Sequence, residues 1–114
     1  MLNIDGYTIE LTRGDNADIE VIPINEMTKY PYEFHEGDTV IFRMWNDEGI
    51  VLEKNCGIVL ENNECTLVFI ENDTLDLDFE NYHYEIELVT YQDKHYTFIA
   101  DQTFIIGVEG EQHE

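Results

Sequence analysis

Among 114 residues, 26 acidic side chains face only five basic ones, for a formal charge of −21. That balance excludes ordinary binding to DNA, RNA or anionic lipid, because such a surface cannot neutralise phosphates. A hydrophobic content of 43% with 12% aromatics excludes disorder and suffices for one domain, 1–114, without metal or disulfide staples.

In chain order, "MLNIDGYTIE" has neither the basic nor the apolar segment of a signal peptide. General secretory export is therefore not expected, and no apolar run approaches a membrane span. From there the apolar pattern has period two almost throughout. Strands are expected at 7–12, 17–24, 39–45, 50–54, 56–60, 65–70, 82–91, 96–100 and 103–108. The turn signals "RGDN", "NDEG", "ENNE" and "QDKH" separate several of them. Short strands at such spacing predict an all-β fold, read here as an immunoglobulin-like antiparallel β-sandwich. Its ordered core is expected at about 5–109, with a frayed tail at 110–114.

The first bend contains Arg13-Gly14-Asp15. Alternating strands flank it, Gly14 permits positive φ, and Asp15 or Asn16 can cap a turn. The tripeptide therefore reads as a structural bend and not an adhesion signal. The aromatic run Tyr30, Tyr32 and Phe34, with outward-facing Trp45, offers a candidate interaction surface; covering one end of the sandwich is the competing role.

Two hairpins allow arithmetic. A three-residue loop Asp47-Glu48-Gly49 with Gly49 left-handed pairs Met44 with Leu52 and Arg43 with Glu53. A two-residue turn at Asn62-Asn63 pairs Leu60 with Cys65, Ile58 with Leu67 and Cys56 with Phe69. Cys56 and Cys65 then fall out of line for a disulfide and are expected as free, buried thiols.

Asp76, Asp78, Glu80 and Glu87 stand at EF-hand-like spacing, but Asn81 replaces the required glycine and Glu87 falls within a strand. These carboxylates read as solvated, and no metal or cofactor is expected. The segment "TLDLDFENYHYEIEL" fits a tyrosine corner at Tyr82, with Tyr84, Ile86 and Leu88 on the same face. His35, His83, His95 and His113 show no metal spacing near either cysteine, and His83 is expected at the surface. No phosphate loop, nucleophile elbow or zinc-protease motif occurs, so an enzyme is not expected.

Three stretches, "LTRGDNADIEV", "GDTVIFRM" and "NDTLDLDFENYHYEIEL", stand in an order that resembles small all-β virion-appendage domains of phages and prophages of Gram-positive bacteria. Head-fibre and baseplate upper-protein N-terminal domains are of this kind. The resemblance spans roughly residues 7 to 108, with one departure: Glu80-Asn81 precede Tyr82 where such domains usually carry glycine. It implies a non-enzymatic structural module in the virion, or in the bacterial cytoplasm during assembly. Its partners would be other virion proteins or a cationic protein surface, and in isolation it would be a monomer or weak homo-oligomer. The alternative is an acidic inhibitor that imitates DNA, with Glu10, Asp18, Glu20, Glu53, Glu85 and Glu87 outward. A carbohydrate-binding module ranks third.

Overall fold

The computed structural model describes residues 1–108; the tail expected to fray lies outside them. Among the described residues nine strands form two sheets, with one 3-10 turn, Leu60–Asn62, and one four-residue helix, α1, Glu71–Thr74. The strands are β1 (Leu2–Asp5), β2 (Thr8–Thr12), β3 (Ala17–Glu20), β4 (Thr39–Asn46), β5 (Gly49–Asn55), β6 (Gly57–Val59), β7 (Glu64–Phe69), β8 (Asn81–Val89) and β9 (His95–Gly107). One sheet has six strands in the order β1-β2-β9-β8-β4-β5, and the other has three in the order β3-β7-β6.

The sheets meet face to face through alternate side chains, as period-two patterning requires. Val40, Phe42 and Met44 of β4, with Tyr82, Tyr84, Ile86 and Leu88 of β8, are buried from the six-stranded side. Cys65, Leu67 and Phe69 of β7 answer them from the other sheet. Phe42 lies 5.4 Å from Phe69 edge to face, and Phe104 lies 5.4 Å from the same ring. Each fully buried side chain of this kind contributes about 1.5–3 kcal/mol.

The all-β expectation holds, with differences in detail. The sheets are not purely antiparallel, because β2 runs parallel to β9, with Ile9 opposite Phe104 and Leu11 opposite Ile106. An additional strand, β1, folds back on β2 around Gly6-Tyr7, so regular structure begins before residue 5. The two strands expected at 96–100 and 103–108 are one, β9. Asp101, with φ +47, absorbs the irregularity inside the strand, a conformation that Asp tolerates better than most residues. The strand expected at 17–24 ends at Glu20, and the chain then leaves the ladder toward Pro23, which cannot donate to it.

The β4–β5 hairpin keeps Met44 opposite Leu52 and Arg43 opposite Glu53, but its loop is Asp47-Glu48, and the extra residue is taken up by a bulge at Val51. Gly49 has φ +127, in the positive-φ region expected of it, which favours glycine. The β6–β7 register differs from expectation by two residues: Ile58 faces Cys65 and Val59 faces Glu64. Leu60 turns out into the 3-10 segment, and left-handed Asn63 closes the loop. Because the shift is an even number, Ile58, Cys65, Leu67 and Phe69 keep the face assigned to them.

Cys56 and Cys65 are free and buried. The neighbouring Cys65 thiol and burial both push the Cys56 thiol up, away from the reactive thiolate. A thiol reagent should therefore react slowly with the folded protein and titrate both cysteines once urea unfolds it. A fast native reaction would show that the sheets do not seal these positions.

Candidate functional site

Chemistry-bearing side chains collect at the two ends of the sheets and on the outer face of the larger one. The end formed by the bend at residues 13–16, the β4–β5 turn and residues 75–80 is the bend end. The opposite end, formed by residues 21–38 and the β8–β9 turn, is the loop end.

At the bend end Gly14 has φ +84, and its N–H donates to the Thr74 hydroxyl at 2.8 Å. Thr74 is fully buried, so the bend is tied to α1 across the molecule. Arg13 donates its backbone N–H to Gly107, and its guanidinium lies 4.1 Å from the centre of the Phe79 ring. Each residue of the tripeptide is only partly exposed. Nearby, the Tyr82 hydroxyl donates to the Asp78 carbonyl, four residues upstream, at 3.1 Å. That bond fixes the entry of β8.

An open cleft of about 500 Å³ is lined here by Asn46, Asp47, Glu48, Asp78, Glu80, Asn81 and His83. His83 stacks on Trp45 with ring centroids 5.6 Å apart, and its Nδ1 lies 2.7 Å from Asp101. Beside the cleft is an open groove of about 260 Å³ lined by Glu10, Phe79, Glu80, Asn81, Ile105, Ile106, Gly107 and Val108. Asp78 and Glu80 belong to this end, but Glu87 does not. It lies well into β8, so the EF-hand-like spacing does not bring the four carboxylates together.

Glu87 belongs instead to the outer face of the six-stranded sheet. Arg43 stands opposite both Glu53 and Glu85 in register. Its guanidinium donates to Glu53 at 2.6 Å, to Glu85 at 3.1 Å and to Glu87 at 2.9 Å. His95 adds a contact to Glu87 at 2.9 Å. Hydrogen bonds from Arg43 and then His95 hold the Glu87 carboxyl below the usual carboxylate range. Glu87 in turn raises the His95 imidazole. Of the six carboxylates considered for DNA imitation, Glu53, Glu85 and Glu87 thus converge, but on an arginine. Glu10 lies on β2, and Asp18 and Glu20 lie in the other sheet.

At the loop end the Asp38 side chain is fully buried. It accepts from the Tyr32 hydroxyl at 2.9 Å, the His35 N–H at 2.7 Å and the Tyr91 N–H at 2.8 Å. Burial, then the Asp38 hydrogen bond, push the Tyr32 phenol up to about 12. Asn63 holds the same segment by accepting from Phe34 N–H and donating to the Tyr32 carbonyl. Farther out, Asn25 organises a tight turn. Its side chain accepts from the N–H groups of Met27 and Thr28, and its own N–H donates to the Tyr30 carbonyl. The turn presents Ile22, Ile24, Met27 and Tyr30 to solvent, with Met27 94% exposed.

The aromatic residues considered as one surface are therefore divided. Tyr30 is at the loop-end tip, Tyr32 is half-buried against Asp38, and Trp45 lies at the bend end. Thr39 to Trp45 spans about 20 Å of strand. Sequence reasoning missed Asp38 and Met27. Gly37-Asp38 opens the quoted stretch "GDTVIFRM", but the three donors to Asp38 come from residues as distant as Tyr91.

Comparison with models of known protein families, with curated proteins and with solved structures found no match. Among the described residues no helix is long and apolar enough to cross a membrane.

Two outcomes follow. Gly14→Ala, which forces a side chain into positive φ, should cost about 1 kcal/mol or more, and Thr74→Val, which strips the Gly14 N–H of its acceptor, about 1–3 kcal/mol. Urea denaturation checks both. The Glu87–His95 contact sets the second. Glu87, with its pKa depressed, adds stability that is present above about pH 4.3 and is lost as pH falls through its lower folded value. His95, with its pKa raised, adds stability that is complete below about pH 6.5 and is lost as pH rises through its higher folded value. Their mutual support is therefore greatest between those limits. In an NMR titration Glu87→Gln should bring His95 back toward its ordinary pKa; an unmoved titration would remove the contact.

Proposed function

We propose that this chain is a non-catalytic interaction module of a phage or prophage particle, built as an immunoglobulin-like sandwich. The observation that carries the interaction role is the loop-end turn. A −21 chain that holds Met27 and Tyr30 in water on a hydrogen-bonded turn keeps an apolar contact ready for a partner. The two packed sheets and the Tyr82–Asp78 bond support the immunoglobulin-like reading. The order of the bend, the Gly37-Asp38 turn and the Tyr82 strand supports the virion setting. The module acts in the particle after assembly in the bacterial cytoplasm, against other virion proteins or a basic protein surface.

Imitation of DNA is less well supported, because Arg43 occupies the point where the outer carboxylates meet. The two readings separate in one experiment. Tagged protein recovered from phage-producing cells should bring down identified capsid, tail or baseplate proteins, and Met27→Glu should lose them. Recovery of a host nuclease or methyltransferase that duplex DNA displaces would overturn the virion role.

A further inference from the structure

The chain contains three methionines, Met1, Met27 and Met44, and the fold treats each differently. Met44 is fully buried in the core, Met1 is 58% exposed and Met27 is 94% exposed. The Met27 thioether therefore stands almost entirely in water. The turn beneath it is held by groups other than that side chain. Asn25 donates its N–H to the Tyr30 carbonyl and accepts the Lys29 N–H at its own carbonyl. Its side chain accepts the Met27 and Thr28 N–H groups. Ile24 and Pro31 pair at the base. The turn thus keeps its shape when the Met27 sulfur changes. The two thiols are shielded, since Cys56 and Cys65 are both buried.

Oxidation of an exposed thioether converts a flexible apolar side chain into a polar one. Building on the turn's proposed role as a partner contact, we propose that Met27 is a reversible oxidation site that switches the loop-end turn from an apolar to a polar tip while the fold stays intact. The oxidant class is a hydroperoxide, in the simplest case hydrogen peroxide. That molecule is neutral, so the −21 charge of the chain does not repel it. A lone pair on the thioether sulfur attacks one peroxide oxygen and the O–O bond breaks. The departing hydroxide takes the proton left on the transferred oxygen and becomes water. The sulfur gives up two electrons, the peroxide gains them, and methionine sulfoxide remains. A dithiol returns the two electrons: it becomes a disulfide, the sulfoxide oxygen leaves as water, and the thioether is restored. The sulfoxide oxygen is a strong acceptor, so a partner that buries the tip without a donor for it leaves a polar group unpaired.

The first measurement uses the purified chain and dilute hydrogen peroxide, followed by peptide mass mapping and thermal melting. Oxygen should enter Met27 first, Met1 later and Met44 only once the protein unfolds, with both cysteines still reduced. The melting curve should not move while Met44 is untouched. Oxygen entering Met44 or a cysteine before Met27, or a lower melting temperature on oxidation of Met27, would overturn the proposal. The second measurement repeats the capture from phage-producing cells with protein treated with peroxide and then freed of it. Recovery of identified capsid, tail or baseplate proteins should fall roughly tenfold or more, as for the loss of a buried anchor. Methionine sulfoxide reductase with dithiothreitol should restore it. Met27→Leu keeps the apolar volume without the thioether, so it should capture as wild type does and be indifferent to peroxide. Met27→Gln should behave as the oxidised protein without treatment. Undiminished capture after Met27 is oxidised, or an equal loss from Met27→Leu, would overturn the switch. Failure of the contact itself reads differently: untreated wild type then recovers no virion protein, which overturns the switch whatever the peptide map shows.

Discussion

The packing of Phe69 against Phe42 and Phe104 is the contact on which the remainder of the molecule rests. It is the place where three strands of the smaller sheet are held against six of the larger. Tyr84 completes the cluster, 5.6 Å from Phe42, and its hydroxyl reaches the Tyr7 carbonyl at the turn between β1 and β2. A single aromatic cluster thus sets the spacing between the sheets and anchors the edge hairpin. Both ends of the molecule are carried on strands that this cluster fixes. A turn such as Met27–Tyr30 can then protrude without contributing to the core.

The second constraint is charge. A chain this acidic must keep its carboxylates apart or give them donors, and it does both. On the outer face three glutamates share Arg43, an arrangement that uses one guanidinium for several acids. At the loop end Asp38 loses contact with water but gains three donors, two of them backbone N–H groups. Its carboxylate joins the long 21–38 connection to the β8–β9 turn, so a segment without its own ladder acquires a defined path. At the bend end, by contrast, the carboxylates of the cleft stand together in solvent.

Local alternation made most strands legible, together with the pairs Met44–Leu52 and Arg43–Glu53, because period two and turn chemistry are properties of neighbouring residues. The parallel pairing of β2 with β9 was not legible, since nothing in "TIELT" points to a strand more than 90 residues away. Strand β1 could have been found: Leu2 and Ile4 alternate, and Asp5-Gly6 is a strong hairpin signal. The β6–β7 register failed because Asn62-Asn63 was read as a tight turn. The chain used a 3-10 turn and one left-handed Asn instead, which moved Leu60 into solvent. The candidate site suffered from the same limitation. Tyr30, Tyr32 and Trp45 are near in composition and in order, but β4 carries Trp45 to the opposite end. Asp38 and the groove beneath Phe79 are assembled from segments whose proximity only the fold creates.

The position of β9 has a consequence for how the protein is made. It lies between β2 and β8, so the larger sheet is interrupted until its last strand arrives. As the chain leaves the ribosome, the β4, β5 and β8 ribbon can pair early, since its partners are consecutive or joined by one excursion. The β1–β2 hairpin must wait, with Ile9 and Leu11 uncovered, for a segment synthesised much later. Of the strand pairings in the two sheets, this one closes the longest loop and so costs the most chain entropy before contact rewards it. Until it forms, the nascent chain exposes an unpaired apolar edge. The high negative charge then serves the unfinished chain as much as the folded one, because repulsion between nascent copies discourages their open edges from meeting.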